Sequence, residues 1–201
     1  AASGTWRHIV ALARAPLARV AAPPASAARV GLIAADMAAP GLGLSAGDRA
    51  RLSRLRFEAV VHSAATVDHV RDYAQLRPVN VDAVDALVAL VAAHPPRFLF
   101  VSTVSAAGAD AREDLASTPA PPDSGYAQSK WVAERRLAGH QRRRSLASLV
   151  VVRAGLVGPD ARTAAPNERD WLALLGTAVM AARAAPAAEH QEVCMAPRRR
   201  R

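Results

Sequence analysis

Phe57-Glu-Ala-Val-Val61 is followed by Val81, Val84, Leu87, Val88 and Val91, and then by Arg97-Phe-Leu-Phe-Val101. Across this stretch the apolar pattern changes from that of a strand to that of a helix and back. A short run rich in β-branched and aromatic residues reads as a buried strand. Apolar residues at i, i+3, i+4 and i+7 read as the buried stripe of a helix, here over about 79–93. Pro95-Pro96 stops that helix before the next strand begins. Strand, helix and strand in this order form a parallel βαβ unit, because strands joined by a helical crossover run the same way.

Reading outward extends the alternation in both directions. Toward the amino end, His8-Ile-Val-Ala-Leu-Ala13 and Arg29-Val-Gly-Leu-Ile33 read as strands, separated by an Ala/Pro-rich segment over 15–29. Ser45 is a helix N-cap for about 46–55, with Leu52 and Leu55 facing inward. Toward the carboxyl end come a long loop over 108–123, a helix over about 126–144, the strand Ser148-Leu-Val-Val-Val-Arg153, and a helix over about 168–183. The fold class is therefore α/β, a doubly wound parallel sheet. Ligands of such sheets sit beyond the carboxyl ends of the strands. Asp36, His62 to Ala65, and Ser102-Thr103 all fall at such ends.

Composition narrows the function classes. Hydrophobic residues are 51% of the 201, but alanine alone supplies 49 residues and aromatics only 4%, so the core is built from small side chains. No run of eighteen uncharged apolar residues occurs, which excludes a membrane-spanning helix. The lone Cys194 offers no disulfide framework and suits a reducing cytoplasm. The histidines are not spaced as metal ligands, and no metal is expected. Of the net charge of +9, four charges are the terminal run Arg198 to Arg201, read as a tail. With few aromatics to interleave with the arginines, nucleic-acid binding is not expected.

The chemistry concentrates at Tyr126-Ala-Gln-Ser-Lys130, which puts a phenol and an ammonium at i and i+4 on one helix face. Reduction of a carbonyl needs a proton donor at the oxygen that gains charge. A phenol of pKa ~10 is a reluctant donor unless a nearby cation stabilises its anion. Lys130 can supply that cation and also bind a ribose hydroxyl, and Thr103 can hold the substrate oxygen. Lys130 is the single lysine beside 25 arginines. Chance would place it at this one cationic position roughly once in twenty-six, and lysine differs from arginine in offering a compact, shiftable charge.

Val101-Ser-Thr-Val-Ser105, Gly125-Tyr-Ala-Gln-Ser-Lys-Trp-Val-Ala-Glu134 and Arg153-Ala-Gly-Leu-Val-Gly158 resemble the extended short-chain dehydrogenase/reductases. With Val60-Val-His-Ser-Ala-Ala65, Leu76-Arg-Pro-Val-Asn-Val81 and Asn167-Glu-Arg-Asp-Trp171, they resemble more narrowly a thioester reductase domain. Such domains end carboxylic acid reductases and nonribosomal peptide or polyketide synthases. The similarity covers roughly residues 8–180. It implies a Rossmann-like fold and the catalytic set Thr103, Tyr126 and Lys130. It also implies NADPH, with Arg14 at the 2′-phosphate, Asp36 and Met37 by the adenine, and Ala64 and Ala65 against the cofactor. Asn80 would steady the lysine region. The implied reaction is reduction of an acyl thioester, on the phosphopantetheine of an acyl or peptidyl carrier protein or on CoA, to an aldehyde or alcohol. His62 reads as a packed histidine.

The chain departs from that pattern at both ends. It begins with Ala1, and only Gly4 precedes His8 where a strand and a Gly-x-x-Gly-x-x-Gly turn are expected. In the strand order 3-2-1-4-5-6 the first strand is central, so two sheet halves with unpaired edges are expected. The expected division is a partial nucleotide-binding domain over 1–160 and the start of a truncated substrate lobe with a basic tail over 161–201. Ala154 replaces the proline of an Arg-Pro-Gly motif. The alternatives are another extended short-chain enzyme, such as a nucleotide-sugar epimerase or hydroxysteroid dehydrogenase, or a non-catalytic remnant.

Overall fold

A computed structural model describes residues 8–14, 29–107, 121–156 and 171–183. The Ala/Pro-rich segment, most of the loop over 108–123, the Asn167 segment before Trp171, Cys194 and the arginine tail lie outside the described residues. The chain divides into two compact units, Ala1–Arg153 and Ala154–Arg201. Of the second, the described structure is the end of the last strand, a short stretch after it, and helix α5, Trp171–Ala182.

In the first unit, β1 (His8–Ala13) and β2 (Arg29–Ala34) pair in parallel, His8 opposite Arg29 and Ala13 opposite Ala34. A second sheet has the order β3 (Ala59–His62), β4 (Arg97–Thr103), β5 (Ser148–Ala154). Its β3 and β4 pair in parallel with His62 opposite Phe100. Phe98, Phe100 and Ser102 alternate with half-buried neighbours along β4, so one face of the strand is fully covered. Phe98 and Phe100 share a core with Val84, Leu87, Val88, Ala133 and Leu137.

The helices follow from local chemistry. Ser45 Oγ accepts from Asp48 N at 3.0 Å and opens α1, Ala46–Ser53, as its sequence predicts. The helix expected over 79–93 is different in kind. It starts earlier, as α2 (Tyr73–Arg77), where Asp72 and Gln75 form a reciprocal capping box. Pro78 has no N–H to give to the preceding turn, and the backbone widens into a π turn over Pro78–Asp82. Regular geometry resumes in α3, Ala83–Leu90, and stops before Pro95: Val91 leaves the helical region at φ −106, ψ 9. Helix α4 runs Gly125–Arg142 from the N-cap Ser124, whose side chain accepts from Ala127 N. It ends at Arg144, which takes the left-handed φ of 58 where a glycine would be usual.

The two sheets are separate, as expected of a doubly wound sheet without its central strand. Among the described residues no strand lies between β1 and β3. The consecutive residues His8 to Leu12 and Ala59 to His62 instead line one apolar slot of about 410 Å³, floored by Phe57, Leu87 and Leu90. Consecutive rather than alternate residues line it, so it is bounded by strand edges and not only by sheet faces. No described helix is long and apolar enough to cross a membrane, and the described residues hold no metal-binding cluster of His, Cys, Asp or Glu.

Candidate active site

The carboxyl ends of the strands carry the residues singled out in the sequence. Arg14 follows β1 and is exposed. Asp36 and Met37 follow β2. Asp36 is exposed, its N–H donates to Leu42 O at 2.8 Å, and its Oδ1 accepts from Ala38 N at 3.0 Å. Its carboxylate thus closes its own turn, while Met37 lines the slot. After β3 come exposed Ser63 and Ala64 and half-buried Ala65, a run of small side chains.

Asn80 ties this loop to α4. It is 1% exposed and sits in the π turn. Its Oδ1 accepts from Thr66 N at 2.8 Å, and its Nδ2 donates to Thr66 O at 3.0 Å and to Ser129 Oγ at 2.9 Å. Ser129 Oγ in turn donates to Tyr126 O at 2.7 Å. The π turn is what lets an asparagine in a helix reach sideways to a loop and to a second helix. Every polar atom of its amide is used.

Thr103 ends β4, half-buried, its Oγ1 accepting from Ser105 N at 3.3 Å. Lys130 is 2% exposed. Its Nζ donates to Val101 O at 2.6 Å and lies 4.1 Å from the centre of the Phe100 ring. The lysine therefore fastens the helix that carries Tyr126 to the strand that carries Thr103. Tyr126 is half-buried with its ring edge-on to His69, centroids 5.5 Å apart.

Electrostatics correct one expectation. Lys130 was expected to acidify the phenol, yet burial acts on Tyr126 and pushes its pKa up. The ammonium is engaged by the Val101 carbonyl instead. Burial lowers Lys130 to about 8, with the Glu134 charge opposing that fall. His62, stacked on Phe100 at 5.6 Å, is held down to about 4, by burial first and by the Lys130 charge second. It is neutral at pH 7, and its Nε2 is buried without a hydrogen-bond partner.

Several residues of the site were not read from the sequence. Glu134, Ser102 and Arg153 form a buried group beneath Lys130, described further below. Their one signal was spacing: Tyr126, Lys130 and Glu134 recur every four residues. Gly125 is another. A Cβ there would lie 2.5 Å from Arg71 O, 2.6 Å from Asp72 C and 2.7 Å from Tyr73 N, all backbone atoms that cannot swing aside. Glycine is needed because the start of α4 abuts the start of α2. Gly125→Ala is expected to lose about 1–3 kcal/mol of stability by overpacking and to displace the first turn of α4. Urea unfolding followed by circular dichroism checks this, and an unchanged midpoint would refute the close approach.

A doubly wound parallel fold with Tyr-x-x-x-Lys after a Ser-Thr strand end defines an NAD(P)-dependent reductase of the extended short-chain type. The family model NAD_binding_4, described as Male sterility protein, matches residues 3–197, and the chain belongs to that family. It is 38% identical over 149 residues to the isonitrile lipopeptide synthase of Streptomyces coeruleorubidus, covering 72% of this chain and 10% of that protein. It is 32% identical over 164 residues to the L-2-aminoadipate reductase large subunit of Penicillium chrysogenum, covering 72% and 11%. The chain thus spans about a tenth of the length of these two relatives. Among solved structures, the terminal R domain from the myxalamid PKS-NRPS biosynthetic pathway superposes with a TM-score of 0.74 at 24% identity, covering 94% of this chain and 59% of that one.

Proposed function

We propose that this chain carries the catalytic centre of an NADPH-dependent reductase that converts carrier-bound or CoA acyl thioesters to aldehydes or alcohols. One observation carries the reading. The sole lysine is buried and bonded to Val101 O, and it joins the helix of Tyr126 to the strand that ends in Thr103. Relatives named as peptide synthetases and an aminoadipate reductase support a thioester substrate, as does the fold likeness to a thiolation-reductase di-domain from an archaeal non-ribosomal peptide synthetase. The single cysteine favours a cytoplasmic setting.

The donor set fits a phosphorylated nicotinamide nucleotide. Arg14 is an exposed guanidinium after β1 that would take the 2′-phosphate. Met37 and Asp36 would flank the adenine, and Ala64 and Ala65 leave room for close approach. Lys130 would hold the nicotinamide ribose. When bound, the nucleotide supplies the hydride.

The chain's own residues do the rest. Thr103 Oγ1 holds the thioester carbonyl oxygen by a hydrogen bond. Tyr126 donates its proton to that oxygen as charge develops there; burial keeps the phenol protonated at neutral pH, which suits a donor. The resulting carbon–sulfur bond then breaks, the thiol leaves, and an aldehyde remains.

The test offers NADPH with an acyl-phosphopantetheine thioester, with acyl-CoA, or with a nucleoside diphosphate sugar. Release of thiol matched to NADPH oxidation is expected with a thioester. Turnover of the nucleotide sugar alone would move the chain to the epimerase class. Absence of NADPH binding in a fluorescence titration would make it a non-catalytic member.

A further inference from the structure

Beneath the proposed catalytic pair lies a group of charges that the reaction itself does not use. Glu134 is 2% exposed in α4, one turn beyond Lys130. Its Oε1 accepts from Ser102 Oγ of β4 at 2.5 Å. From β5, Arg153 Nε donates to Oε1 at 3.1 Å and Nη2 donates to Oε2 at 2.7 Å. A carboxylate this deeply buried is costly unless it is paired and hydrogen-bonded, and here it is both. Three elements therefore meet on one side chain.

We propose that Glu134 is a positioning residue of this site: fastened to β4 by Ser102 and to β5 by Arg153, its carboxylate is the counter-charge that keeps the buried Lys130 ammonium protonated and seated on β4. The other groups around Lys130 cannot take this part. His62, from β3, is neutral at pH 7, Tyr126 on α4 is a neutral phenol, and Arg153 on β5 is a cation. The aspartates of the neighbouring helix are engaged elsewhere, since Asp82 and Asp85 pair with Arg136, and Asp85 also with His140. Of the anions near α4, Glu134 is the one that faces the lysine, and its charge is what opposes the loss of the lysine's proton. The inference rests on the reading of Lys130 as the catalytic lysine, but its test does not need turnover.

Because the chain has one lysine, protein carrying carbon-13 lysine gives a single side-chain signal, and its titration follows Lys130 alone. The expected midpoint is about 8 in the unaltered chain. Glu134→Gln is expected to lower it by about one unit or more, a tenfold or larger change in the proton's dissociation constant. A merely structural role predicts the opposite sign: loosened packing rehydrates the lysine and raises its midpoint toward the ordinary 10.5. Glu134→Asp keeps the charge but withdraws it by one carbon, and is expected to give a smaller fall; it serves where Glu134→Gln does not fold. A rise or no change in the folded variant overturns the proposal. A fall in a chain that reduces no thioester would leave the proposal standing and refute the reductase reading alone. Where turnover is present, the alkaline limb of the kcat profile is expected to move down with the same midpoint.

Discussion

Tyr126→Phe is expected to lower the kcat of NADPH-dependent thioester reduction about 10²–10⁴-fold, the range that a positioned general acid contributes. The phenol is the one group on α4 facing the substrate end that can give a proton at neutral pH, since Lys130 is engaged by the Val101 carbonyl. Burial raises the pKa of Tyr126, so nearly every molecule holds the proton it must donate. Phenylalanine keeps the ring and with it the edge-on contact to His69. The thermal midpoint and the affinity for NADPH are therefore expected to be unchanged, which separates loss of a proton donor from loss of structure. Full turnover in the variant would remove Tyr126 from the catalytic set.

That experiment turns on a residue legible in the sequence, and the reason is instructive. The five strands and the fold class could be read because strand and helix periods differ, and Phe57 to Val101 shows both. Tyr126 and Lys130 could be read because one lysine among 25 arginines is a chemical choice. The helix over 79–93 was misplaced because apolar spacing reports only a buried face. It is silent about where the backbone widens, and Pro78 and the Asp72 capping box, which settle that, are polar or turn signals.

Glu134 and Arg153 were invisible for a different reason. A glutamate in an arginine-rich helix reads as solvated, since charged side chains are almost never fully buried unless paired. Its partners lie 32 residues before it on β4 and 19 after it on β5. No local window holds all three. The same distance explains why the effect of Lys130 on Tyr126 was misjudged: i, i+4 spacing shows that two side chains share a face, not which competitor captures the ammonium. Here the captor is a main-chain carbonyl of β4, exposed to the lysine only because β4 and α4 pack together.

The largest stability loss is expected at the point where those elements converge, from Phe100→Ala. Phe100 is fully buried at the centre of β4 and lies opposite His62 in the strand pairing. One face of its ring stacks on His62 at an interplanar angle of 28°, and the ring also receives the Lys130 ammonium. Truncation removes the transfer free energy of the ring and leaves a cavity, together about 3–5 kcal/mol for a buried phenylalanine. A domain whose total stability is ~5–15 kcal/mol loses a large share of it. The cavity would not stay dry, because the His62 Nε2 that now lacks a partner and the Lys130 ammonium both offer hydrogen bonds to water. Rehydration returns His62 from about 4 toward 6.5. In the unaltered chain the neutral buried histidine contributes stability above pH 6.5 that is lost as pH falls through 4, because between those values only the unfolded state takes the proton. Phe100→Ala is thus expected to be much less stable at pH 7 and to lose less than the parent between pH 6.5 and pH 4. Phe100→Leu, which refills most of the space, is expected to fall between the two. Urea unfolding at both pH values measures each effect, and a loss below about 1 kcal/mol at pH 7, the size of an average substitution, would show that the ring does not hold β4 and α4 together.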